Sequence, residues 1–258
     1  MKTAIVTGAA SGIGAAVCRQ LAESGMRVIG IDLRSADICA DLSTTAGRAR
    51  AVEAARALCD NKLDVLVCCA GLGPQAEPVS AIASVNYFGV TALLDGLFDA
   101  LKAGGRASAV VVSSSSATLQ SWTDNPLRQA YLDGSEEAVL AMLAALPPEQ
   151  AGYAAYASSK NAVACAVRQR AAAWGAAGVR LNAVAPGAVQ TPLLEAGLAD
   201  PRYGAAIRNF TAPIGARAQA ADIAALIGFV AGDSAPFIHG SVLFADGGID
   251  ATMRPYDF

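Results

Sequence analysis

The stretch Thr7-Gly8-Ala9-Ala10-Ser11-Gly12-Ile13-Gly14 decides the fold. It follows the apolar run 3–7 directly and opens a segment of helical length. Glycines at this spacing permit a tight turn and let the backbone approach a pyrophosphate. The helix start behind them supplies unpaired N–H groups and a partial positive charge. Working outward, a second apolar run at 27–32 ends in Asp32, twenty residues after Gly12. That offset suits a carboxylate accepting a hydrogen bond from a ribose 2′-hydroxyl. Together the two features read as a dinucleotide site. Taken singly, they are a plain strand–helix turn and a solvated acid. A carboxylate at Asp32 repels a 2′-phosphate, so NAD is expected over NADP. Arg34 either offsets that repulsion or is a solvated loop arginine.

Beyond the loop, β-type runs at 3–7, 27–32, 64–69, 107–113, 179–185 and 241–245 alternate with stretches of helical length at 12–25, 45–60, 80–103, 156–177 and 219–232. A weaker strand is expected at 37–41. The runs are continuously apolar, as in parallel strands covered on both faces. The alternation predicts βαβ units with right-handed crossovers, an α/β chain folded as a doubly wound parallel sheet of the Rossmann type. The 258 residues suit one domain, 1–258.

The composition narrows the function. A net charge of −3, from 19 basic and 22 acidic residues, argues against nucleic acid as a partner. With 54% apolar and only 16% charged residues, a large core and an extended apolar subunit contact are expected. The N-terminal apolar run is broken at Gly8, too early for a signal-peptide core. No apolar stretch approaches the ~20 residues that span a bilayer, so no membrane partner is expected. The six cysteines show no repeated Cys-x-x-Cys pair, and a reduced, cytoplasmic protein is the simplest account. No His/Cys/carboxylate cluster has zinc spacing, so no metal is expected. His239 precedes Gly240 and reads as a turn residue. No Gly-x-Ser-x-Gly elbow accompanies it, which argues against Ser–His–Asp hydrolysis.

One segment, about 117–153, breaks the alternation. Asp133-Gly-Ser-Glu136 has the spacing of a capping box, and Val139, Leu140, Met142, Leu143 and Leu146 recur at helical intervals before Pro147-Pro148. An inserted helix of about three turns is predicted there, ahead of a long helix opened by Tyr156.

Tyr156-Ala-Ser-Ser-Lys160 places a phenol and an ammonium on one helix face. A cation ~4 Å from the phenol, at a dielectric of ~20, stabilises phenolate by about 4 kcal/mol, or roughly three pK units. Tyr156 is therefore expected near neutrality, where a general acid–base works best. Tyr153 has Ala157 four residues on and is no rival. Four serines, 113–116, end the preceding strand, and extended geometry separates 114 and 116 from 113 and 115.

The chain now resembles the short-chain dehydrogenase/reductase family. The resemblance rests on Thr7-Gly-x-x-x-Gly12-x-Gly14, Asp41-Leu42, Cys69-Ala70-Gly71, Asn86, the serine cluster, Tyr156/Lys160, Pro186-Gly187 and Asp246-Gly247-Gly248. It implies that Tyr156 exchanges a proton with the substrate oxygen, that Lys160 lowers its pKa and holds the nicotinamide ribose, and that Ser114 is the serine bonding the carbonyl or alcohol oxygen. Asn86 would anchor a relay water, although the residue reads equally as a helix-terminus Asn. Gly8, Ser11, Gly12, Ile13 and Gly14 would cradle the pyrophosphate, and Asp32 would hold the ribose. Asp41 and Leu42 would flank the adenine, with Ala70 and Gly71 near its ribose. Pro186, Gly187, Val189 and Thr191 would hold the carboxamide and a phosphate oxygen. Cys69 stands where the family usually has Asn, so a brace on this strand is expected to be missing.

Stretches 69–74, 84–89 and 200–204, the insertion and the C-terminal tail resemble a bacterial subgroup of the family more narrowly. That resemblance implies oxidation and reduction at the 3α-hydroxyl or 3-oxo group of steroids. The alternatives are another lipophilic ketone or cyclic alcohol, and a non-catalytic NADH-binding sensor. Leu72, Pro74, Thr118, Leu119, Trp122, Thr191, Leu193, Leu194 and Met253 are candidates to line an apolar pocket, though several read equally as core residues. Segment 188–210 is either a lid or a plain helical excursion. Family members commonly pair through the helices flanking the active site. The insertion is expected to obstruct that face and leave a homodimer built elsewhere.

Overall fold

The computed structural model describes residues 1–119 and 121–256, so Gln120 of the inserted segment and the last two residues of the domain lie outside the described residues. Nine strands form among the described residues: β1 Thr3–Thr7, β2 Arg27–Asp32, β3 Ile38–Cys39, β4 Val65–Cys68, β5 Ser108–Val112, β6 Arg180–Pro186, β7 Val189–Gln190, β8 Ala218–Gln219 and β9 Val242–Ala245. Seven make one parallel sheet in the order β3-β2-β1-β4-β5-β6-β9. The chain runs outward from β1 to β3, then returns to β4 on the other side of β1. That reversal opens a crevice at the strands' carboxyl ends, where ligands of such sheets bind.

Twelve α-helices are described. α1 Gly12–Glu23, α2 Thr45–Leu58, α3 Val79–Ala83, α4 Val90–Gly96 and α5 Phe98–Gly104 come first. α6 Pro126–Leu132, α7 Glu136–Ala144, α8 Pro148–Ala176, α9 Pro192–Ala199, α10 Gly204–Asn209, α11 Ala220–Ala231 and α12 Ile249–Met253 follow. Strand pleating explains the two cores. On β1, Ile5 faces the cluster under α2, α4 and α8, whereas Ala4 and Val6 face the one under α1 and α11. β7 and β8 form a separate two-stranded pair that the sequence reading did not anticipate. No single helix among the described residues is long and apolar enough to cross a membrane.

Several expectations are corrected. The predicted helix 80–103 is broken. α3 passes into a π-helical stretch, Ser84–Gly89, and α5 starts anew after Leu97. The insertion holds two helices, and the unanticipated α6 starts at Asn125, whose side chain accepts from the N–H groups of Leu127 and Arg128. The cap of α7 is Ser135, accepting from Ala138 N, while Asp133 closes α6 instead. Tyr156 does not open its helix. Pro148 does, because a proline ring suits the first helical position, so Tyr156 stands two turns inside α8.

The insertion is welded to the main body. Tyr131 is fully buried, with ring centres 5.0 Å from Tyr87 and 5.8 Å from Phe88. Arg48 of α2 pairs with Glu136 of α7 at 2.8 Å and lies over the Phe88 ring. α6 packs on α8, and α7 packs on both α3 and α8, so the segment covers the flank beside Tyr156.

Candidate active site

The glycine loop takes its shape from backbone crowding. Gly8 and Gly12 have φ of +68° and +53°, which disfavour side chains. A Cβ on Gly14 would lie 2.1 Å from Gly8 O, and one on Gly8 would lie 2.8 Å from Ala70 N. The loop therefore packs directly on the 69–71 segment, where Thr7 Oγ1 accepts from Ala70 N at 2.9 Å. Ser11 makes no side-chain cap to α1, and no acidic residue sits in the first turn, so this helix start suits an anion. Asp32 ends β2 at the crevice. Its carboxylate accepts from Ala10 N at 3.0 Å and Leu33 N at 2.7 Å, with lone pairs to spare for a ribose hydroxyl. These features fit the polyphosphate and ribose of a dinucleotide.

Two adenine-side candidates have their side chains engaged by their own neighbours. Leu42 turns its side chain into the core against Gly89 and offers only its main chain. Asp41 accepts from Ser43 N and Ser43 Oγ, which hold its carboxyl below the usual range and start the turn into α2.

The catalytic candidates converge at the ends of β5 and α8. Three of the four serines separate by their partners. Ser113 donates to Lys160 O at 2.7 Å, while Ser114 accepts from Ser116 N at 3.1 Å and hydrogen-bonds Tyr156. Ser116 hydrogen-bonds Tyr153. Burial pushes the Tyr156 phenol up, with a further push from Tyr153, and the Ser114 hydroxyl works against this. The expected lowering by Lys160 is not found. Its ammonium is turned to Val112 O of β5, at 2.8 Å, and burial brings its own pKa down to about 8.

Asn86 lies inside the π-helical stretch, not at a helix terminus. Its amide accepts from Leu72 N at 2.8 Å and donates to Leu72 O at 3.0 Å and Ser159 Oγ at 3.3 Å. It thus braces the 70–72 segment, so the substitution of Cys69 for the family's usual Asn leaves this strand end secured. Gly71 keeps the segment close: a Cβ there would lie 3.3 Å from both Asn86 Oδ1 and Lys160 Nζ.

A cavity of about 390 Å³ opens beside these groups, within the usual range for small-molecule sites. It brings together Ile13, Gly71, Ser114, Tyr156, Lys160, Pro186, Gly187, Val189 and Thr191. Thr191 caps α9 and also lies 3.3 Å from where a Gly12 Cβ would stand, so it joins the glycine loop to segment 188–210. Val189 is buried with its side chain in the core. Of the pocket candidates, Leu72, Pro74, Leu119, Leu193 and Leu194 also line the cavity. Three do not. Thr118 donates to Asp250 at 2.5 Å, Trp122 is buried and donates to Ala117 O at 2.7 Å, and Met253 is exposed on α12. Tyr203, Ile207 and Phe210 line it from segment 188–210, the candidate lid, while Gln75 and Tyr153 line it without having been foreseen. Only Tyr153 carried a signal, its i,i+3 spacing from Tyr156.

His239 is a bridge and not a free turn residue. Nδ1 accepts from Leu181 N at 3.0 Å and Nε2 contacts Ala171 O at 2.7 Å. Among the described residues no group of three His, Cys, Asp or Glu side chains is placed to hold a metal.

A dinucleotide crevice and a Ser–Tyr–Lys group on one doubly wound sheet define a nicotinamide-dependent class of oxidoreductase. The chain belongs to the short-chain dehydrogenase/reductase family. Residues 2–127 match the family described as short chain dehydrogenase, and 138–250 match one described as enoyl-(acyl carrier protein) reductase. A 3-alpha-hydroxysteroid dehydrogenase/carbonyl reductase of Comamonas testosteroni is 48% identical over the whole of both chains. A cis-4-hydroxycyclohexanecarboxylate dehydrogenase of Sinomonas cyclohexanicum is 32% identical over 97% of each. The crystal structure of a 3-alpha-hydroxysteroid dehydrogenase from Pseudomonas sp. B-0831, complexed with NADH, matches with a TM-score of 0.95 and 49% identity over all of both chains.

Proposed function

We propose that the protein is an NAD(H)-dependent oxidoreductase that interconverts a secondary alcohol and a ketone on a hydrophobic substrate, at the 3α-hydroxyl or 3-oxo position of steroids. The observation that carries this reading is the meeting of Ser114, Tyr156 and Lys160 in an apolar cavity next to the glycine loop. In the reducing direction the ketone oxygen accepts from Ser114 and Tyr156, and the phenol gives up its proton. Burial keeps that phenol protonated at neutral pH, which suits it as the acid. The Ser116 N–H occupies one lone pair of Ser114 and leaves its hydroxyl proton for the substrate. The bound nicotinamide supplies or accepts the hydride. Asp32 favours a free 2′-hydroxyl and hence NAD.

The steroid assignment draws on the 48% and 49% identical relatives and on the apolar lining. A small acid such as the Sinomonas enzyme's named substrate would find no cation but Lys160 among the described lining residues. A non-catalytic NADH sensor gives no reason for the three converging groups. Incubation with androsterone and NAD should raise the NADH absorbance band. Tyr156→Phe should lose at least ~10²-fold in turnover while NADH still binds. Near-normal turnover would overturn the reading.

We also infer a cytoplasmic homodimer. All six cysteines are free. The insertion covers the flank beside α8, while the sheet ends on the apolar strand β9 near the fully exposed Phe237. An open edge of this kind suits a second copy. The mass in solution should be that of two chains, and Phe237→Asp should shift it toward one.

A further inference from the structure

The turn behind Ser114 is too short to place itself. Ser115–Ala117 is a single 3₁₀ turn, closed by Ala117 N to Ser114 O at 3.0 Å and Thr118 N to Ser115 O at 3.2 Å. Such turns have poorer hydrogen-bond geometry than an α-helix, so contacts from outside fix where they sit. Ser114 depends on this one, because the Ser116 N–H donates to Ser114 Oγ at 3.1 Å. Ser114 and Ser116 both line the cavity, and Leu119 continues the same wall.

Side chains from other parts of the fold grip the turn. Trp122 Nε1 and Asn161 Nδ2 both donate to Ala117 O, at 2.7 and 2.9 Å. A further hold comes from the far end of the chain. Thr118 Oγ1 donates to Asp250 of α12 at 2.5 Å, and its one proton goes there in preference to Ser115 O at 3.1 Å. Asp250 is buried, and a buried carboxylate is costly unless its oxygens are paired. Arg254 meets it with two nitrogens, at 3.0 and 2.9 Å, and Asp250 N donates to Asp246 at 2.7 Å. Asp246 packs on Gly187, where an added Cβ would lie 2.9 Å from its Cα. The C-terminal stretch therefore touches both the serine turn and the Gly187 corner of the cofactor crevice.

We propose that Thr118 and Asp250 are positioning residues, whose hydrogen bond holds the serine turn where Ser114 Oγ can meet the substrate oxygen. Neither touches the substrate, and the C-terminal helix thereby forms part of the frame of the active site. The inference rests on the alcohol–ketone reading above. A merely structural contact would show in stability alone. A positioning contact shows in the rate of the reaction, and only while Ser114 has a hydroxyl to position.

The test is the single-turnover rate of NADH oxidation by a 3-oxo steroid. Thr118→Val removes the hydroxyl and keeps the branched shape. It should slow this rate about tenfold, with steroid and NADH affinities each within about twofold of wild type, because a displaced donor costs transition-state stabilisation more than binding. Thr118→Ser should restore the rate to within about twofold. In a Ser114→Ala background, Thr118→Val should cost less than about twofold. Asp250→Ala should match Thr118→Val, and the two together should be no slower than either alone. NADH fluorescence titration verifies that each variant folds. The inference is overturned by a Thr118→Val rate within about twofold of wild type, by a loss that Thr118→Ser does not reverse, or by an equal loss with and without the Ser114 hydroxyl. Additive losses at 118 and 250 overturn it as well. If wild-type protein binds NADH but reduces no 3-oxo steroid, the functional reading itself fails and takes this inference with it.

Discussion

The cofactor half and the substrate half of the crevice are built on different principles. Around the glycine loop, positions are fixed by backbone against backbone. Gly14 meets Gly8 O, Gly8 meets Ala70 N, and each strand end is held by its neighbours in the sheet. Around the substrate cavity, positions are fixed by side chains from segments outside the sheet. The insertion, the 72–77 loop and the α9–α10 excursion are joined through Arg48, Asn86 and Arg202. The first kind of site tolerates almost no added volume, whereas the second can be retuned one side chain at a time.

The largest expected break in that contrast comes from Gly14→Ala. The added methyl has only 2.1 Å to Gly8 O, so the turn must open. We expect about 2–3 kcal/mol of lost stability and loss of NADH binding, read by thermal unfolding and fluorescence titration.

Lys160→Met tests the other half. Activity should be lost while the protein becomes more stable. A lysine brought from 10.5 to about 8 by burial penalises the fold wherever the unfolded chain carries the proton, by roughly 3 kcal/mol in full below pH 8. Less the bond to Val112 O, the variant should gain about 2 kcal/mol at pH 7. The gain should fade between pH 8 and 10.5, and urea melts across that range would follow it.

A smaller effect separates the reaction directions. The raised Tyr156 phenol should leave ketone reduction flat through neutral pH, while alcohol oxidation climbs with each pH unit toward and beyond 10. An oxidation profile already level at pH 7 would contradict the upward shift of the buried Tyr156 phenol. The mildest change is Asp32→Ala, which should reduce the preference for NAD over NADP by about tenfold without abolishing turnover.

The contrast also governs what the chain betrays. The glycine loop, Asp32 at the end of β2, the alternation of strands and helices, and the placing of Tyr156 and Lys160 on one helix are legible because they depend on local spacing. Where Lys160 points is not, because that was settled by a carbonyl of β5 and by burial. That the Leu42 side chain packs into the core under Gly89 was not legible either. Trp122 and Thr118 looked like pocket residues, yet Ala117 O and Asp250 took their polar atoms. Gln75 gave no sign, since its place in the cavity wall depends on how the loop after β4 folds. Pro148 was read as a stop when it is equally a start.

The Arg48–Glu136 clasp has a consequence for anyone trimming this chain. Cutting out the inserted helices would take the carboxylate partner from Arg48, leaving it only the carbonyls of Ser43 and Thr44, and would lay bare the rings of Tyr87 and Phe88. The segment is therefore not a detachable cassette. Its host surface has been rewritten to need it, and a minimal version of the enzyme would have to redesign α2 and the π-helical stretch together.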